Sequence, residues 1–360
     1  MNDVQKMRRD LHQIPELDRE LPKTLKYIKE ILKPLRCKLH IPTPGALIAY
    51  FHFDQSDTLA YRSDMDALPI IERNQVSYIS HHLGRMHACG HDGHMAMLLK
   101  FAQYVNQLTF CPHNVLLIFQ PAEETDGGAK SIVASGVLNQ YHVKAIFGFH
   151  LWPNLSAGVI ATKPGSLMAQ SGEVTIDIRG KAAHITNAQN GRDALNAAMM
   201  MYHFCDQMKF QISDPYLLSF GYMESGNARN VISDHARLLG TMRTFAQSTH
   251  HDIKKRLLAI GNLVQQRTGC EVKIHISDGY PTVYNDPELF AQCQKCLPHL
   301  QVLKQPNLLS EDFAFYGKTA PSLFMYLGTG NDIPLHADTF DFDDSLLING
   351  VQAYIALLNL

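Results

Sequence analysis

The sequence predicts an α/β protein of two domains, an alternating helix–strand domain interrupted by an inserted α+β domain. Three observations carry this. The chain has 360 residues, more than one hydrophobic core usually organises. Its first 165 residues alternate helical apolar spacing with short continuous apolar runs, the grammar of a largely parallel, helix-covered sheet. After residue 167 that grammar gives way to half-exposed strands of alternating polarity around two long helices.

In order, residues 2–12 and 22–35 carry helical spacing, the second through Leu21, Leu25, Ile28, Leu32 and Leu35. Ala46–Phe51 and Thr58–Arg62 read as strands, the latter halting at Ser-Asp-Met-Asp. A helix follows from about Gly93, with Met95, Leu98, Leu99, Ala102 and Val105 on one face. Asn114–Gln120, bounded by prolines, and Ala145–Phe149 have the uninterrupted apolar character of strands buried on both faces. Between them Gly127-Gly128 opens a short helix through Ile132 and Val133.

Residues 168–280 then give strand Glu173–Arg179, helix Asp193–Phe210, strands Leu217–Met223 and Arg237–Phe245, helix His250–Arg267 and strand Glu271–Asp278. That is the split βαβ, ferredoxin-like pattern. A final helix, strand and helix (288–297, Ser322–Leu327, 344–358) resume the first pattern. The domains are therefore 1–167 with 281–360, and 168–280 inserted.

Composition excludes several function classes. At 46% hydrophobic and 18% charged the chain is not disordered. Thirty-two basic against 34 acidic residues, net −2, leave no excess charge for nucleic acid or an anionic membrane. The polar opening lacks a signal peptide's apolar core, and no apolar run approaches the roughly 20 residues of a membrane helix. Seven irregularly spaced cysteines form no disulfide framework. The expectation is a cytoplasmic protein. Its excess is histidine, 19 residues against one tryptophan.

The polar residues of interest stand where buried strands end: Asp64 and Asp66 after 58–62, Glu123 and Glu124 after 114–120, His150 after 145–149, and His336 after 322–327. In open α/β sheets such positions converge on one crevice. Met86-His-Ala-Cys-Gly-His-Asp-Gly-His94 adds three histidines, a cysteine and an aspartate at a helix entrance. Thiolate, imidazole and carboxylate are the donors of zinc and its neighbours. In an extended loop Cys89 and His91 point to one side. The adjacent Glu123 and Glu124 diverge, so one can ligate while the other handles protons. Together these types suit metal-assisted hydrolysis, with water activated by metal and glutamate as base.

Other features read more plainly. Isolated histidines such as His203 and His299 are surface or packing residues. Asp64 and Asp66, taken alone, are equally a turn feature. Cys293-x-x-Cys296 lies in a helix with no thioredoxin-like strand before it, and Cys37, Cys111, Cys205 and Cys270 read as small buried hydrophobes. There is no Gly-x-Ser-x-Gly elbow and no His-Glu-x-x-His, and the Gly317-Lys-Thr319 stretch has Asp312 where a phosphate loop needs glycine.

Arg9-Asp-Leu-His12-Gln-Ile-Pro-Glu16, Arg62-Ser-Asp-Met-Asp-Ala-Leu-Pro69, Cys89-Gly-His-Asp-Gly-His94, Gln120-Pro-Ala-Glu-Glu124, Gly180-Lys-Ala-Ala-His184, Asn230-Val-Ile, Gly240-Thr-Met-Arg243 and Ser310-Glu-Asp-Phe313 resemble the M20 metallopeptidases. More narrowly they resemble the amidohydrolase subfamily containing hippurate hydrolase, auxin-conjugate hydrolases and N-acetyldiaminopimelate deacetylase. The resemblance runs the length of the chain. It implies a catalytic domain like the di-metal zinc peptidases and an inserted domain serving as lid and dimer surface, in a homodimer or homotetramer. It further implies two divalent ions (zinc, manganese, cobalt or nickel) held by Cys89, His91, Glu124, His150 and His336. Glu123 would be general base and acid, and Asp66 would orient a ligand. His184, from this subunit or its partner, would polarise the scissile carbonyl, while Asn230 and Arg243 hold the substrate carboxylate. The implied reaction is hydrolysis of the amide of an N-acyl, above all N-acetyl, amino acid. A dipeptidase or aminopeptidase and a non-catalytic metal- or ligand-binding relative are the alternatives. Where the family commonly has proline after the lid histidine, after Asn-Val-Ile and after the last ligand histidine, this chain has Thr186-Asn-Ala, Ser233 and Ala337-Asp338.

Overall fold

The computed structural model describes residues 3–360 and divides into two compact units. The first runs through Leu167 and resumes over Val283–Pro306 and Asp312–Leu360; the second is Met168–Thr282 with Asn307–Glu311. The return of 307–311 to the second unit, expected in the first, follows from local pairing: Ala169 N donates to the Leu309 carbonyl, and Met168 bridges Asn307.

The first unit is built on an eight-stranded sheet. Its order is Lys38–His40, Leu47–Phe51, Asn114–Gln120, Thr58–Asp64, Val143–Trp152, Ser322–Gly328, Ile160–Thr162 and Gln301–Val302. The four central strands, from Asn114–Gln120 to Ser322–Gly328, are mutually parallel, whereas antiparallel pairings bring in the flanks. Three of those central strands are buried at every residue. Uninterrupted apolar runs produce this because helices cover both faces, and each buried Leu, Ile or Phe there contributes roughly 1.5–3 kcal/mol. The largest core cluster packs the Asp3–His12, Pro22–Leu32, His91–Gln107 and Leu347–Leu357 helices against one face, around Tyr61, Phe101, Phe147 and Tyr354.

Two boundaries move in ways that matter. The helix expected from Gly93 begins at His91, so His91 and Asp92 occupy its first turn. The strand expected to stop at Phe149 continues to Trp152, placing His150 inside the sheet opposite Tyr326.

The second unit has an antiparallel sheet in the order Tyr216–Ser225, His235–Thr244, Gln170–Arg179, Glu271–Ile276, with the Ala194–Gln207 and Gln247–Thr268 helices. This is the ferredoxin-like arrangement. Val174, Ile176 and Ile178 alternate inward to meet Ala197, Met201, Ile253 and Leu257, while Asp193 caps its helix through the Leu195 and Asn196 N–H groups. No helix among the described residues is long and apolar enough to cross a membrane.

Candidate metal centre

Gly90 sets the entrance of the 91–107 helix. Its φ is +83°, and a Cβ there would stand 2.7 Å from Leu151 Cδ1, so only glycine lets the chain turn this close to the neighbouring strand. The turn buries both Cys89 and His91. The His91 Nδ1–H donates to the Asp66 carbonyl at 2.7 Å, leaving Nε2 directed into the cluster. His150 is arranged alike: Nδ1–H donates to the Leu151 carbonyl at 2.7 Å, and Nε2 lies 3.4 Å from Cys89 Sγ.

The two glutamates are placed by Asp66. Ala122 adopts a left-handed φ of 58°, and the N–H groups that follow it, of Glu123 and Glu124, both donate to the Asp66 carboxylate at 3.0 Å. Successive N–H groups gathered on one anion form a concave nest. Here the anion is part of the chain, and it locks the loop. Glu124 Oε1 lies 3.2 Å from His336 Nε2 and 3.9 Å from His91 Nε2. His336 also has a left-handed φ, 67°, and its N–H donates to the Ala88 carbonyl.

Donor atoms within 4.8 Å of one another form the overlapping groups Cys89–His91–His150, Cys89–Glu124–His336 and His91–Glu123–Glu124. All five expected ligands, with Glu123 and Asp66, are thus gathered in the first unit. A further group, Asp64–His91–His94, was not in the expected ligand set. Cys89 belongs to two groups.

The electrostatics suit a cation. Burial, then the charges of Glu124 and Glu123, push the Cys89 thiol well up. Burial lowers His91, but Asp64, Asp66 and Glu124 outweigh it and raise its pKa to about 10. Burial raises Glu124, yet His336 and His91 bring it below the usual range. Burial, then His94, depresses His150 to about 3, so its imidazole is neutral as a ligand must be. A buried thiol, two glutamates and three imidazoles, with the inward-facing His91 Nε2 left unpaired, fit a divalent ion of the zinc type.

In the second unit, the short Ala183–His184 strand pairs with Val231–Ile232, and Ile185 N donates to the Asn230 carbonyl at 3.0 Å. His184 and Asn230 are therefore neighbours, and both are exposed. Arg243 sits elsewhere. It is opposite Ser171, eight residues along the strand from His235, whose partner Arg179 leads toward His184. At ~3.3 Å per residue that is about 26 Å of strand. Arg243 Nη1 donates to Thr241 Oγ1 and the Met242 carbonyl at 2.5 and 2.9 Å. Asn230 and Arg243, expected to hold the substrate carboxylate, are not brought together within one chain.

A second buried network, which no long-range sequence pattern announces, lies beside the site. His12 Nδ1 donates to Asp92 at 2.7 Å and Nε2 to Glu72 at 3.1 Å, while Arg8 pairs with Asp92 and Asp341 at 2.8 and 2.9 Å. The i, i+4 spacing of Arg8 and His12 on the first helix was its only local signal.

Residues 60–360 match the family model described as Peptidase family M20/M25/M40. An uncharacterized hydrolase of Staphylococcus aureus is 34% identical, covering 99% of this chain and 97% of the relative, and one of Staphylococcus haemolyticus is similar to the same degree. Among solved structures, a candidate aminohydrolase from methicillin-resistant S. aureus superposes with a TM-score of 0.92 at 29% identity, covering 99% of this chain and 96% of that one. The YXEP protein of Bacillus subtilis, a dinuclear metal-binding peptidase of the M20 family, gives 0.88 at 30% identity with the same coverage. The chain belongs to peptidase family M20/M25/M40 and is a metal-dependent hydrolase.

Proposed function

We propose that this hydrolase cleaves the amide bond of N-acyl amino acids, N-acetyl amino acids above all. The observation that carries the reading is the locked pair Glu123-Glu124, one carboxylate beside His336 and the other grouped with His91. Cys89, His91, Glu124, His150 and His336 would hold two divalent ions. When bound, such ions polarise a carbonyl and make water acidic enough to lose its proton near neutral pH. Glu123 takes that proton as the water oxygen attacks the acyl carbon, then delivers it to the nitrogen as the C–N bond breaks. A carboxylate and a free amino acid result.

Arg243, whose planar fork suits a carboxylate, and Asn230 would hold the substrate carboxylate, and His184 would polarise the scissile carbonyl. Their placement at separate ends of the second unit favours a pair of chains that exchange these residues. Leu195, Met199 and Tyr202 support such pairing: they form an i, i+4, i+7 stripe on the Ala194–Gln207 helix and are 45%, 61% and 50% exposed.

The test is a substrate panel on protein stripped by chelator and restored with Zn²⁺, Mn²⁺, Co²⁺ or Ni²⁺. N-acetyl amino acids should turn over only after restoration, and faster than the corresponding dipeptides. Turnover confined to dipeptides, whose ammonium group an acyl pocket would not accept, contradicts the reading, as does full activity in chelator.

A further inference from the structure

Of the three histidines between Met86 and Met95, the ligand set uses only His91. His94 is buried beside it, and both of its ring nitrogens are engaged. Nε2 lies 2.9 Å from the Leu151 N–H, which can only donate, so Nε2 accepts. The hydrogen is then on Nδ1, which donates to Asp64 Oδ1 at 2.7 Å. A ring so committed has no lone pair left for a metal, despite its place in the Asp64–His91–His94 group. Asp64 is held in turn by Arg62, whose Nη1 donates to Oδ2 at 2.7 Å while Nη2 reaches Asp312 at 2.8 Å.

Leu151 is the residue after His150, and its carbonyl accepts from His150 Nδ1. Both peptide groups around Leu151 are thereby tied, the N–H to His94 and the carbonyl to the His150 ring. That ring presents its other nitrogen to Cys89.

We propose that His94 is a positioning residue: it holds the Leu151 N–H so that the His150 ring keeps Nε2 turned to the cation site, and Asp64 selects the tautomer that makes this possible. The inference rests on the reading of His150 as a ligand. Partners that orient a ligating imidazole commonly matter 10–100-fold in metal affinity.

Two substitutions separate the bonds His94 makes. In His94→Gln the amide reaches the Nε2 position and still offers an acceptor to Leu151. In His94→Asn it reaches only the Nδ1 position, keeping a donor for Asp64 and leaving the Leu151 N–H buried without an acceptor.

Wild type, both variants and His150→Ala would be stripped and titrated with Co²⁺ against a competing chelator. The readouts are affinity, ions bound per chain at saturation and the thiolate-to-cobalt absorption band. His94→Asn should bind roughly 10–100-fold more weakly with an unchanged ion count and a shifted band, and His94→Gln should stay within about threefold of wild type. Loss of an ion in both variants would make His94 a ligand, and equal affinities in the two would make it a space-filling group; either overturns the proposal. His150→Ala distinguishes the layers. If it binds cobalt like wild type, the ligand reading itself fails; if it loses cobalt while His94→Asn does not, only the positioning role fails. Should His94→Asn not fold, Asp64→Asn carries the same expectation of weakened binding, because its amide can donate to Nδ1 and turn Nε2 into a donor facing the Leu151 N–H. Unchanged affinity there overturns the proposal equally.

Discussion

Cys89 and His150 come from a helix entrance and a sheet strand, 61 positions apart, yet bring Sγ and Nε2 within 3.4 Å. A buried thiol with carboxylates nearby is held well above its ordinary pKa, and a divalent charge bound beside it would make it a thiolate. Cys89→Ala and His150→Ala should each lower bound metal and turnover together, measured by elemental analysis and initial rates. Full metal content with normal turnover in either variant would remove that residue from the ligand set.

Asp66 acts on the glutamate loop through two backbone N–H groups. Asp66→Asn keeps one acceptor and sets an amide N–H against the other donor. An orphaned buried donor costs about 1–3 kcal/mol. The variant should lose thermal stability and bind metal more weakly, since Glu124 is no longer held in place. A variant with wild-type metal affinity would show that the loop keeps its shape without Asp66.

His12 donates to carboxylates from both ring nitrogens, so it is an imidazolium. Burial lowers its pKa, but Asp92 and Glu72 outweigh burial and raise it above 6.5. A raised folded pKa gives stability that is complete below the unfolded value and is lost as pH rises through the folded one. Asp92 and Glu72, both lowered, add stability that is lost on acidification instead. The network is strongest between those limits. His12→Gln should flatten the alkaline limb of the thermal midpoint against pH; an unaltered limb would mean that His12 is neutral.

These networks explain what was legible in the sequence. Strands such as Asn114–Gln120 were readable because burial on both faces leaves an unbroken apolar run, and the second unit was readable from the alternation of Val174, Ile176 and Ile178. The Lys38–His40 edge strand is exposed at all three residues and has no pattern to read. The motif residues of the metal centre were legible as donor types. The Asp64–His94 and His12–Asp92 pairs, 30 and 80 positions apart, were not, since only the tertiary fold makes them partners.

Arg243→Lys keeps a positive charge and loses the planar fork. If Arg243 receives the substrate carboxylate, KM for N-acetyl amino acids should rise, and KM for the corresponding amides, which lack that group, should change little. Equal damage to both substrates would make Arg243 structural.

In the proposed mechanism adjacent glutamates divide ligation from proton transfer, and paired substitution separates the two roles. Glu123→Gln and Glu124→Gln would be compared for bound metal and for turnover of one N-acetyl amino acid. Glu123→Gln should retain metal and lose about 10²–10⁴-fold in kcat with little change in KM. Glu124→Gln should lose metal, with activity partly restored by excess. Retained metal with lost turnover in Glu124→Gln, and lost metal in Glu123→Gln, would contradict the assignment.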